Sequence, residues 1–293
     1  MSDAVAPAGW RHRVQTWWVI LRIALEERLV YRGDFALGTL MRFLPIVTQI
    51  FLWSAIFASI SGSQSSGAQG EGEPTTVGGF RFADMVAYYL MTMIARAFSS
   101  MPGLASGIAL QIREGEIKRY LVQPVDLVGF LLLQRIAHKT AYYTVAILPF
   151  ALVFFLCRGY FVDGWPEPTV LLAFVASLVM GFLIGFFLEA SIGMIGFWFL
   201  EVTSLLFIYM LFSFFLSGHM FPLTLLPDQI EWVVQRLPFK YLAYFPAAVF
   251  LGKVPEDELA TEMLWQAGWL VFFILLCRWM YARGIRRYSG FGG

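Results

Sequence analysis

The chain is organised by apolar runs of membrane-crossing length. The longest covers residues 171–217. At about 1.5 Å per residue, one helix of that length would measure about 70 Å, roughly twice a bilayer. It therefore has to cross twice, and the spacing predicts a hairpin over 189–196, where Gly193 and Gly196 loosen the helix. Shorter runs predict spans near 43–60, 85–110, 140–156 and 263–279. The run at 85–110 carries Arg96 and is interrupted at Pro102-Gly103. About six crossings result, and the fold class is an all-α integral membrane protein.

The interruptions are as informative as the runs. Residues 10–38 mix Trp10, Trp17, Trp18, Leu21, Leu25 and Leu29 with Arg11, Arg13, Arg22, Glu26, Glu27 and Arg28. Trp18, Leu21, Leu25 and Leu29 recur at helical steps, which predicts an amphipathic helix. Its tryptophans favour the membrane surface over plain solvent. The rest of the chain, 39–293, reads as one transmembrane domain. Residues 61–79 are rich in Gly, Ser and Gln and read as a flexible loop. Residues 218–250 are apolar, yet Pro222, Pro227, Pro238 and Pro246 forbid a continuous spanning helix. Such a segment reads either as an irregular outer loop or as short helices re-entering the membrane, shielding Phe221, Trp232 and Phe239.

Composition sharpens this picture. Hydrophobic residues make up 59% and charged residues only 14%, with a mean hydropathy of +0.68; soluble domains carry roughly 25% charge. The net charge of +1 gives no footprint for nucleic acid. Cys157 and Cys277 fall on opposite membrane faces, and three scattered histidines set up no metal site. Lys and Arg are unevenly shared. Fifteen lie in 1–42, 108–139 and 278–293, against five on the opposite side. That bias places both termini and the 111–139 loop in the cytoplasm of a multi-pass protein in the plasma (inner) membrane. No phosphate-binding G-x-x-x-x-G-K-[ST] loop occurs, nor a zinc-protease or serine-hydrolase motif. The chain is expected not to be catalytic itself, and its energy must come from a partner or an ion gradient.

Two segments carry more pattern than the rest. Arg113, Glu114, Gly115, Glu116, Lys118, Arg119, Leu121 and Pro124 form a short charged stretch that ends before a proline. It suits docking onto a cytoplasmic partner, or is an ordinary positive-inside loop. The second segment contains Ser217-Gly218, Phe221-Pro222, Leu226-Pro227, Leu237-Pro238-Phe239 and Pro246 in order. Together these resemble the permease subunits of type-2 ATP-binding-cassette exporters. In that family a Gly, a short charged helix, then Leu and Pro precede the third span, and a similar proline series follows the fifth. The resemblance implies a permease that pairs with a second chain, the same or similar, in membrane lipid. It also implies separate ABC ATPase subunits, which hold ATP and Mg and dock on 111–126, and an N-terminal connecting helix.

Charges inside the membrane are the remaining lead. Arg96 is set either to pair structurally with an acidic residue such as Glu189 or Glu201, or to line a substrate path. Gly181 and Gly185, four apart, suit close helix packing, within the chain or between chains. An ion-coupled secondary transporter is the alternative function, but such folds show two repeated halves with broken helices near the midplane. No repeat is visible here, and no nucleophile–base or metal set inside the spans suggests a membrane enzyme. The substrate class stays open among lipids, glycans, peptides and hydrophobic drugs.

Overall fold

The structure is a computed structural model and describes residues 10–29, 32–65, 75–122, 125–199 and 201–288. Among these the elements are helical, apart from an isolated bridge between Val77 and Phe80. In order they are α1 (Trp10–Leu29), α2 (Arg32–Ser65), α3 (Phe82–Ser99), α4 (Leu104–Arg113), α5 (Lys118–Leu121), α6 (Leu127–Leu156), α7 (Pro168–Met194), α8 (Thr203–Leu216), α9 (Asp228–Val234), α10 (Tyr244–Phe250) and α11 (Glu256–Arg287). They fall into two units. The smaller joins the residues up to Arg42 to Lys118–Val153, and the larger joins Phe43–Ile117 to the chain from Phe154 onward.

Four described stretches are long and apolar enough to cross a membrane: Phe43–Ser61 within α2, Leu127–Leu156, Pro168–Phe197 and Glu256–Arg287. The apolar run expected at 85–110 breaks at Pro102-Gly103 into α3 and α4, with Gly103 in the left-handed region at φ 72°. Helix α3 falls outside the four because it carries Asp84, Tyr88, Tyr89, Thr92 and Arg96. It offers little lipid-facing surface, since most of its residues are buried by the protein.

In the smaller unit, α6 starts where the Asp126 carboxylate accepts the Gly129 N–H at 2.7 Å, an N-terminal cap. The Trp17 ring of α1 lies so close to Gly129 that a Cβ there would meet it at 3.2 Å. The expected two-faced separation on α1 is weak. Val14, Trp18, Val19 and Ile23 are exposed alongside the Arg22–Glu26 pair.

Helix α7 is the centre of the larger unit, with 50% of its span buried. Its glycines admit neighbouring backbone. A Cβ at Gly181 would stand 2.8 Å from the Tyr241 carbonyl oxygen, and one at Gly193 2.7 Å from that of Ala105. The Gly185 position meets the Ser99 carbonyl more closely still. The Gly181/Gly185 face therefore packs within the chain. This overturns the hairpin expected at 189–196. Helix α7 runs on to Met194 and continues as a 3-10 turn (Ile195–Phe197), and the chain reverses only after it. Gly193 and Gly196 do not loosen the helix; they let α4 approach, with Ala105 and Ala109 against them.

The proline-rich segment 218–250 breaks into α9, α10 and two 3-10 turns, Leu223–Leu225 and Pro238–Leu242. Each proline sits where no helical N–H is needed. Pro222 and Pro227 precede a turn and a helix, Pro238 opens a turn, and Pro246 lies in the first turn of α10. Tyr241 to Phe250 are buried without exception. The loop expected at 61–79 is ordered at both described ends. Helix α2 continues to Ser65, and Gly78 and Gly79 form a tight turn at φ 58° and 80°. That turn leads into a polar clamp, in which buried Asp84 pairs with Arg81 and Lys253, each at 2.8 Å, and Arg81 also meets Asp163.

Candidate functional site

The charged segment expected at 111–126 is divided between the two units. Arg113 closes α4, and Glu114 caps it by donating its N–H to the Leu110 carbonyl at 2.9 Å. Gly115 then turns the chain at φ 78°, a conformation that suits glycine. Ile117 is buried and donates its N–H to the Gln111 carbonyl at 3.2 Å, while Glu114 and Glu116 stay exposed. Lys118 and Arg119 open α5 in the smaller unit, both exposed, with the Arg119 guanidinium 4.9 Å over the Tyr120 ring. Leu121 is the last residue of α5, and Pro124 lies outside the described residues.

Glu201 belongs to this end of the molecule. It lies in the α7–α8 connection, where its carboxylate accepts the Thr203 N–H at 2.8 Å and approaches Arg113 at 3.6 Å. Hydrogen bonding from Thr203, followed by the Arg113 charge, holds the Glu201 carboxyl below its ordinary range. The Glu201 carboxylate therefore stays ionised at neutral pH, and its contact with Arg113 links the end of α4 to the start of α8.

Arg96 and Glu189 are brought together elsewhere, by two side chains of α8. The Arg96 guanidinium donates to the Ser213 hydroxyl at 3.3 Å, and the Tyr209 hydroxyl donates to Glu189 at 3.4 Å. Tyr209 and Ser213 are themselves in hydrogen-bond contact, and both charges act on Tyr209. A polar path thus runs from α3 through α8 to α7. Arg96→Ala is expected to lower thermal stability by about 1–3 kcal/mol, because a part-buried charged hydrogen bond is lost, and Arg96→Lys is expected to recover part of it. Melting by fluorescence-detected size exclusion reads this. Normal melting with lost transport would move Arg96 into the substrate path. Sequence reasoning missed Tyr209 and Ser213, although they stand four apart on a largely apolar helix and so share a face.

In the proline-rich segment the predicted residues separate. Pro222, Pro238 and Pro246 are buried, Phe221 and Phe239 half-buried, and Pro227 exposed. Trp232 is 61% exposed, with the Arg236 guanidinium stacked 3.8 Å over its ring, so this chain does not shield it. The buried end of the segment is pinned to its surroundings. Lys240, 5% exposed, pairs with Glu262 of α11 at 2.7 Å, and the Tyr241 hydroxyl donates to the same carboxylate at 3.0 Å. Ser99 donates to the Leu242 carbonyl at 2.7 Å, Tyr89 to that of Met220 at 2.6 Å, and Tyr88 to that of Gly218.

Comparison with family models matches residues 43–292 to the model described as ABC-2 family transporter protein. The chain belongs to that family. Comparison with curated proteins gives no match. As an ABC-2 transporter the chain is a multi-pass membrane protein whose family membership implies partnership with an ABC ATPase. The matched residues include the whole 111–126 segment, the polar path and the proline series.

Proposed function

We propose that this ABC-2 chain is the permease subunit of an ATP-driven exporter. Two such chains, identical or similar, form the path in membrane lipid, and separate ATPase subunits supply ATP, Mg and all the catalysis. The observation that carries the reading is the seating of the charged segment. Exposed Glu114 and Glu116 follow an α4 that is packed against Gly193 and Gly196 and tied by Arg113 to Glu201. A push on this segment is passed to α7 by close backbone contact and to the start of α8 through the Arg113–Glu201 pair.

In this reading α3 and α8 cross as well, which makes six spans. Both termini lie on the cytoplasmic face of the inner membrane, and α1 lies at its surface. Residues 218–250 re-enter from the outside, where the exposed Ile230, Trp232 and Val233 meet lipid. The exposed Phe207, Met210, Phe212 and Phe215 of α8 offer surface to lipid or to the second chain.

Reversing the charges of Glu114, Glu116, Lys118 and Arg119 together tests the coupling. In vesicles containing the co-expressed ATPase, ATP-dependent transport is expected to fall at least about tenfold, the effect of roughly 1.4 kcal/mol of lost coupling. The complex should assemble less well or idle. Full transport with unchanged assembly would end the assignment. Transport driven by an ion gradient without any ATPase would favour a secondary transporter instead.

A further inference from the structure

The C-terminal end of α11 forms one wall of an open groove of about 720 Å³, and the α7–α8 connection forms the other. Arg283, Arg286 and Arg287 enter it from α11, with Trp279 one turn earlier and Trp198 and Phe199 opposite. A smaller adjoining hollow of about 230 Å³ shares Trp198, Phe199 and Arg287 and adds Arg113. Glu201, in the same α7–α8 connection, is engaged with Arg113. Among the described residues no carboxylate forms an ion pair with Arg283, Arg286 or Arg287. The groove is therefore cationic, aromatic-walled and open.

What lies along α11 identifies the kind of ligand. Leu264, Val271, Phe272, Leu275 and Trp279 are all exposed and recur at mostly helical steps, and Arg283 and Arg286 continue the same stripe. The surface is thus apolar for several turns and then abruptly cationic. The change falls where α11 leaves the hydrocarbon, and tryptophan and arginine mark that boundary. Acyl chains followed by an anionic headgroup have the same order of polarity. A water-borne protein partner would match the arginines but would not reach the apolar stripe.

The geometry points to a binding site for an anionic phospholipid, its phosphate held by Arg283, Arg286 and Arg287 and its chains lying along α11. This needs only that α11 crosses the membrane, and it holds whatever the direction of transport. The test uses the purified full-length chain in nanodiscs of phosphatidylcholine with a minority of phosphatidylglycerol, and native mass spectrometry of the retained lipid. Wild type is expected to enrich phosphatidylglycerol. The Arg283→Gln/Arg286→Gln/Arg287→Gln variant is expected to lose about tenfold or more of that enrichment, since each cation near an anionic surface contributes about a factor of five. The triple Lys variant should keep most of it, and Arg158→Gln all of it. Inorganic phosphate alone should not displace the lipid; displacement would indicate a free-anion site and overturn the lipid assignment. Unchanged enrichment in the Gln variant would also overturn it, and lost ATPase co-purification in that variant would then assign the arginines to partner docking.

Discussion

Gly185→Leu is expected to abolish recovery of folded protein. The α7 backbone at Gly185 lies against the Ser99 carbonyl at the end of α3, and even a methyl group there would overlap that oxygen. Overpacking a core typically costs about 1–3 kcal/mol because side chains can move aside. Here the obstacle is backbone on both partners, so a helix must shift and carry with it the Ser99 bond to Leu242. Gly185→Ala should already reduce the monodisperse size-exclusion peak severely. Gly268 provides the contrast. It lies on α11, and a methyl group there would meet nothing within 4 Å. Gly268→Ala should leave the peak intact and raise melting slightly, since alanine outperforms glycine in a helix by about 1 kcal/mol. Equal behaviour of the two alanine variants would show that the α3–α7 contact is not close.

Glu262→Ala should be almost as damaging. It leaves the Lys240 ammonium, which is 5% exposed, without its carboxylate and takes the acceptor from the Tyr241 hydroxyl. Stranding one partner of a buried pair costs about 3–5 kcal/mol. Glu262→Gln keeps an acceptor for both neighbours and should lose less. Replacing both charges, Lys240→Met with Glu262→Leu, should restore much of the melting temperature, because the desolvation of two ions is then avoided. A double variant no better than Glu262→Ala would mean that the pair is needed for more than charge balance.

These two sites also mark how far the sequence can be read. Spans at 43–60, 140–156 and 263–279, and the break at Pro102-Gly103, follow from periodicity and chain chemistry, which are local. The reversal after α7 lies beyond the place that periodicity assigns it, because glycine has two opposite uses. It frees a backbone to turn, and it lets two backbones touch; which one applies depends on a neighbour far away in sequence, here Ala105 and Ala109. Lys240 reads as an outer surface charge for the same reason, since its partner Glu262 lies a whole segment later. In the candidate site, Arg113 and Glu114 are legible from charge density, and Arg96 and Glu189 from their cost in an apolar run. The α8 hydroxyls that join them are not, because tyrosine and serine are unremarkable in a span until a charge is known to face them.

In the proposed six-span reading, the brevity of α8 has a consequence for the membrane itself. With 14 residues it covers about 21 Å, against roughly 30 Å of hydrocarbon. Protein groups supply backbone partners at both of its ends. Tyr88 bonds the Gly218 carbonyl, the Tyr244 N–H bonds that of Ser217, and Glu201 accepts the Thr203 N–H. The remaining mismatch falls on the lipid, which has to thin beside α8 at a fraction of a kcal/mol per ångström. Acyl-chain length then becomes a variable of this protein's function, with short-chain bilayers relieving the strain and sterol-thickened ones adding to it.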